Sequence, residues 1–259
     1  MQADKVIDFI VDWLKGYCHR AGMQGFAVGV SGGIDSAVTS TLCARTGLKV
    51  FALNMPILQH PEQQSLAADH IAWLEGSFDQ VTGVAVDLTH CFQAYETCLP
   101  DEVQDGLTMA NTRSRLRMVT LYAFAAHYSL LVAGTGNKVE DFGVGFFTKY
   151  GDGGVDIAPI ADLMKSEVVA LGQALGVSEK ILNTPPTDGL WADNRSDEDQ
   201  IGATYPELEW AMDFDRRGGD ESGLSQRQQE VLAIYRRLHQ ANLHKMVPIP
   251  VAIIPDHLK

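Results

Sequence analysis

The sequence predicts an α/β protein, a doubly wound parallel sheet with helices on both faces in the Rossmann-like manner, in one domain over residues 1–259. Three observations carry this expectation. Short Val/Leu-rich runs alternate with helical periodicities, a glycine turn joins the first run to a helix, and no repeat or Pro/Gly/Ser-rich linker divides the chain. With 259 residues, the chain is long enough to bury a substantial core.

Taken in order, Ile10, Trp13, Leu14 and Tyr17 fall at i, i+3, i+4 and i+7, so the opening residues read as an amphipathic helix with that stripe on the core. Phe26–Val30 reads as the first strand, followed by a turn and a helix that stops at Gly47. Lys49–Asn54, Gln80–Val86 and Ser129–Ala133 read as further strands, separated by helices over about 62–76 and about 88–128. The glycine-rich stretch Phe142–Gly154 reads as a loop, as does the stretch from Pro185 to about Gln200. A last helix carries Val231, Ile234, Tyr235 and Leu238 on one stripe. It precedes a tail, from His244 onward, in which three prolines oppose helix.

Composition narrows the function classes. Twenty Lys and Arg against 33 Asp and Glu leave a formal charge of −13, which argues against a nucleic-acid partner and toward small-molecule chemistry. No apolar run reaches membrane-spanning length, so no membrane partner is expected. Four cysteines without a CxxC pair suit reduced thiols, and Asp4, Asp8 and Asp12 interrupt what a secretory signal would need. A cytoplasmic protein is the expectation.

Ligands of open parallel sheets sit at the carboxyl ends of the strands, so the loops after Val30, Leu53, Val86 and Ala133 are the ones to inspect. The first is Gly29-Val30-Ser31-Gly32-Gly33-Ile34-Asp35-Ser36. Its glycines allow close approach of backbone N–H groups to an anion at a helix N-terminus. A carboxylate at Asp35 would repel phosphate unless a divalent cation lay between them, which calls for Mg²⁺ bridging Asp35 to a pyrophosphate. The alternative is a plain helix start in which Ser31 and Asp35 cap and complement the dipole.

The string Ser31–Ser36 resembles the pyrophosphate loop of the ATP-pyrophosphatase (PP-loop) superfamily. Downstream, GTGNKVEDFGVGFFTKYGDGGVDIAPIADLMKSEV, residues 134–168, is similar to the ammonia-dependent NAD synthetases. With the loop before it and His244-Lys245 near the end, the resemblance covers nearly the whole chain. It implies a homodimeric ligase that forms NAD⁺ from deamido-NAD⁺, ATP and ammonia through an acyl adenylate, releasing AMP and pyrophosphate. It further implies that Gly29 to Ser36, Thr135, Lys165 and Thr187 hold ATP, with Lys165 acting on its phosphates, and that Asp35 and Glu140 bind Mg²⁺. Arg115, Lys149, Asp156, His244 and Lys245 would contact deamido-NAD⁺.

Arg115, and one residue outside these sets, Asp152, also carry readings of their own. At 100° per residue Arg115 shares a helix face with Met118 and Tyr122, and an arginine on an apolar face calls for an anion, either an acidic side chain or the substrate. Ammonium must lose a proton before it can act as a nucleophile, and Asp152 in the Gly-Asp-Gly-Gly turn is the expected base; a simple turn-forming role is the alternative. The competing function is another PP-loop amide-forming or thiolating ATP pyrophosphatase. The first core helix begins so early that no glutaminase-type domain is expected ahead of it, which makes free ammonia the expected nitrogen source.

Overall fold

Residues Gly25–Gly29 (β1) and Lys49–Asn54 (β2) pair in parallel, with Gly25 opposite Lys49 and Gly29 opposite Leu53. The computed structural model describes residues 1–59, 61–185 and 197–259, with the backbone alone for 61–63. Gly25 is required where it stands: a Cβ there would lie 1.8 Å from the Lys49 carbonyl oxygen. Val81–Ala85 (β3) extends the ladder beyond β2, and the two-residue strand Leu131–Val132 (β4) pairs on the other side of β1. The order is therefore β3-β2-β1-β4, all parallel, with a bridge from Ala133 to Ile157 beyond β4. Strand order reverses at β1, so a crevice opens between the carboxyl ends of β1 and β4.

Side chains alternate across the sheet and feed two cores. Phe26 and Val28 pack with Leu14 of Ala3–Arg20 (α1), Leu42 of Ile34–Arg45 (α2), Leu74 of Pro61–Ser77 (α3) and Leu171 of Lys165–Leu175 (α6). On the opposite face Ala27, Leu53 and Val132 pack with Phe92 of Thr89–Glu96 (α4) and Met109 of Gly106–Tyr128 (α5). After the short helix Glu179–Leu182 (α7) come Asp197–Ile201 (α8), Tyr205–Arg217 (α9) and Gln226–Met246 (α10). A third cluster of Val139, Val144, Leu208 and Tyr235 fastens α9 and α10 to the segment after β4.

The alternation and the doubly wound sheet are as the sequence predicts; several details differ. The buried stripe of α1 is Ile7, Ile10, Leu14 and Cys18, whereas Trp13 and Tyr17 are exposed, because the core lies about one residue round the helix from the expected face. The expected helix at 88–128 breaks: Pro100 precedes a short 3₁₀ turn, and Asp105 starts α5 afresh by accepting from Thr108 N at 3.0 Å. Lys138–Val144 is a π-helical turn rather than the start of a loop. The last helix runs through His244 and Lys245 to Met246, since the first proline is Pro248 and only the residue before it, Val247, is forced into extended backbone. All four cysteines are free thiols, with Cys18 and Cys43 buried and Cys91 and Cys98 exposed.

Candidate active site

The turn after β1 is folded by its own hydroxyls. Ser36 Oγ accepts from Ser31 N at 3.2 Å and donates to Gly33 O at 2.9 Å, and Gly33 N donates to Ser31 Oγ at 3.3 Å. Gly32 has φ +89°, open to glycine at no steric cost, and Gly33 is the N-cap of α2 without a side-chain cap. Asp35 does not serve as a cap. Its carboxylate reaches across the crevice, accepting from Asn137 Nδ2 at 3.2 Å and pairing with Lys165 Nζ.

The segment after β4 supplies the other half. Asn137, fully buried, accepts from the N–H groups of Val139 and Glu140 at 3.1 Å each and so starts the π-helical turn that presents Glu140. Sequence reasoning passed over Asn137; an Asn one residue before a turn with Glu140 and Asp141 in its first positions was the available signal. Thr135 lines the crevice beside it. Lys165 is the first residue of α6, buried, and its Nζ meets Asp35 Oδ2 and, at 2.9 Å, Glu140 Oε1. A single positive charge thus joins two carboxylates from two strand ends.

Burial would depress the Lys165 ammonium, but Asp35 and then Glu140 reverse that and hold its pKa above the usual lysine value. The carboxylates titrate as a coupled pair. Burial raises both and Lys165 lowers both; Glu140 ends below its ordinary value because Tyr205 also donates to it, and Asp35 ends above. Among the described residues no three His, Cys, Asp or Glu side chains cluster as a metal cage. Two hard oxygen donors converging on one cationic position do fit Mg²⁺, which binds through one or two carboxylates and completes its shell with phosphate oxygens and water.

The facing wall centres on Asp152. Its Oδ1 accepts from Ser114 Oγ at 2.6 Å and from Thr148 N at 2.9 Å, while Asp152 N donates back to Ser114 Oγ at 2.8 Å. Asp152 keeps an open side toward the crevice, yet the protein packed around it desolvates the carboxyl and raises its pKa against those hydrogen bonds. Lys245 Nζ is held by the carbonyls of Gly145 and, at 2.7 Å, Phe147. Ser114, Asp152, His244 and Lys245 share the crevice wall with Gly29–Ser36, Thr135, Glu140 and Lys165.

Three expected residues stand apart from that wall. Arg115 is exposed and its Nε donates to Lys149 O at 3.3 Å; the arginines of α5 that turn inward are Arg113, over the Phe92 ring, and Arg117, whose Nε donates to Met55 O at 3.0 Å. The apolar face assigned to Arg115 is thus not a buried one within this chain. Lys149 Nζ donates to His244 O at 2.8 Å, and Asp156 accepts from Tyr122 Oη at 3.0 Å and Val132 N at 2.8 Å, which ties the turn to α5, α10 and β4. Thr187 lies outside the described residues.

The NAD synthase family model matches residues 6–248. The NH(3)-dependent NAD(+) synthetase of Methanococcoides burtonii is 36% identical over 98% of this chain and 95% of its own length. That of Archaeoglobus fulgidus is 35% identical over the whole of both. Among solved structures, NMN synthetase from Francisella tularensis superposes with a TM-score of 0.84 at 32% identity, covering 99% of both chains. The NH3-dependent NAD synthetase from Campylobacter jejuni, in complex with the nitrate ion, gives 0.79 at 26% identity, covering 98% of this chain and all of that one. A PP-loop α/β sheet, a pair of carboxylates facing each other across its switch point, and relatives similar over their full length place the chain in the NAD synthase family of C–N bond-forming ligases.

Proposed function

We propose that this chain amidates deamido-NAD⁺ with free ammonia, consuming ATP and releasing AMP and pyrophosphate. The observation that carries the reading is Lys165 held between Asp35 and Glu140, because it joins the turn after β1 to the segment after β4 at the place where a triphosphate would cross the crevice. Ammonia cannot displace oxide from a carboxylate, so the nicotinate oxygen first attacks the α-phosphorus and pyrophosphate leaves into the turn Gly29–Ser36. The α2 N-terminus and Lys165 face that departing charge. Mg²⁺ held by Asp35 and Glu140 would supply charge neutralisation on the phosphates. Ammonia nitrogen then bonds to the acyl carbon, Asp152 takes the proton, and AMP departs with the electron pair of the broken C–O bond. Thr135 and Thr187 complete the ATP contacts, and Arg115, Lys149, Asp156, His244 and Lys245 those of the dinucleotide.

A homodimer belongs to the proposal. Val119, exposed on α5 one helical turn after Arg115, offers it an apolar contact on that face. Free thiols at all four cysteines suit a reducing cytoplasm, and no described helix is long and apolar enough to cross a membrane. The test is incubation with ATP, Mg²⁺, ammonium and deamido-NAD⁺, following NAD⁺, AMP and pyrophosphate, with each component omitted in turn. Stoichiometric formation of all three products is expected, and ATP left intact in the complete mixture would reject the reading. Nicotinate mononucleotide is run as a competing acid, since the Francisella relative is named for the corresponding amide.

A further inference from the structure

Tyr205 opens α9, is 4% exposed and belongs to none of the residue sets above. Its ring packs in the third cluster with Val139, Leu208 and Tyr235, and Lys165 Nζ lies 4.8 Å from the ring centre. Its Oη donates to Glu140 Oε1 at 2.5 Å and lies 3.3 Å from Asp197 Oδ2, at the first residue of α8. A phenol has one proton, and the shorter contact takes it. Glu140 Oε1 therefore receives two donors, the ammonium of Lys165 and the hydroxyl of Tyr205, from two different elements. Two donors on one oxygen fix the plane of a carboxylate that the three side-chain torsions of glutamate would otherwise leave free to rotate. A phenylalanine would fill the same cluster, so packing alone does not call for the hydroxyl.

We infer that Tyr205 is a positioning residue for Glu140: its hydroxyl holds the carboxylate in place for a divalent cation and makes the α8–α9 layer part of the cation site. This role presupposes that Asp35 and Glu140 bind the cation, as proposed above. The experiment uses the full chain with Mn²⁺ as the probe and the non-hydrolysable α,β-methylene analogue of ATP, read by electron paramagnetic resonance without turnover. Tyr205→Phe is expected to weaken Mn²⁺ about tenfold. In turnover it should raise the Mg²⁺ concentration needed for half-maximal rate by a like factor, with kcat at saturating Mg²⁺ little changed and the melting temperature retained. In a Glu140→Gln background Tyr205→Phe should add no further loss, since it acts through that carboxylate. Unchanged Mn²⁺ affinity, an equal loss in the Glu140→Gln background, or a loss that only follows a lowered melting temperature would each overturn the role. Wild-type Mn²⁺ binding that is indifferent to Glu140→Gln would remove its premise, a result distinct from any failure of NAD⁺ formation.

Discussion

Ser114 Oγ donates to Asp152 Oδ1 at 2.6 Å, which anchors a loop carboxylate to the rigid helix α5. A base fixed in this way is pre-oriented rather than mobile, in contrast to the freely closing turn that the glycines around it suggest. Asp152→Asn is expected to stop amide formation while adenylate formation, followed by pyrophosphate exchange into ATP, persists. The pH dependence has a defined sign. Burial raises the Asp152 pKa and the Ser114 hydrogen bond lowers it, so Ser114→Ala should raise it further and shift the acid limb of the kcat profile to higher pH. An acid limb that does not move would separate Asp152 from the proton transfer.

Lys165 is the positive member of a buried triad whose side chains are 7%, 17% and 15% exposed for Lys165, Asp35 and Glu140. Lys165→Met keeps most of the stem and leaves two carboxylates facing each other without a cation. Removing one partner from such a cluster costs about 3 kcal/mol or more, and the loss of a charge aimed at a departing phosphate costs about 10²–10³ in kcat. Without the ammonium, desolvation is the largest effect left on the two carboxyls, so the variant is expected to regain stability as pH falls and they protonate. Thermal melts at two pH values, with and without Mg²⁺, check this: the deficit against wild type should shrink at the lower pH and on adding the ion.

The alternation of strand and helix was legible because β1 and β2 are buried on both faces and therefore read as unbroken apolar runs. The turn Gly29–Ser36 was legible because its glycines, hydroxyls and one carboxylate sit in a contiguous string. Asn137 and Tyr205 were not, since each acts on a residue distant in sequence: Asn137 on Asp35 across 102 positions and Tyr205 on Glu140 across 65. No local period encodes such a contact. The inward arginines of α5 were misjudged for a related reason. Which side of a half-buried helix faces the core depends on the sheet beneath it, and Arg113 turns inward by stacking on Phe92 of α4.

His70 Nε2 and Ser40 Oγ lie 3.0 Å apart between α3 and α2, both buried. Burial lowers the His70 pKa from 6.5 to about 4, against a smaller opposing effect of the Ala37 backbone. A folded pKa below the unfolded one means that the unfolded chain takes up the proton first, so stability falls as pH drops from about 6.5 toward about 4. Between pH 7 and pH 5 this one group should cost about 2 kcal/mol. Urea unfolding at the two pH values, compared for wild type and His70→Gln, isolates that slope. A histidine variant with the same pH dependence as wild type would assign the acid sensitivity to other groups.

Arg115 separates binding from folding. It is exposed, and its Nε bond to Lys149 O at 3.3 Å is a long one, so little stability rests on it. Arg115→Ala should change unfolding free energy by less than about 0.5 kcal/mol. If the guanidinium meets the dinucleotide, which carries phosphates that suit a planar bidentate donor, the KM for deamido-NAD⁺ should rise about tenfold or more while that for ATP stays constant. Arg117→Ala is the contrasting variant. Arg117 donates to the Met55 backbone beneath the crevice, so its loss should lower the melting temperature and affect both substrates together. Equal KM values for wild type and Arg115→Ala would place the dinucleotide away from this face of α5, and with it the argument for a dimer formed over the exposed Val119 beside Arg115 would lose its functional support.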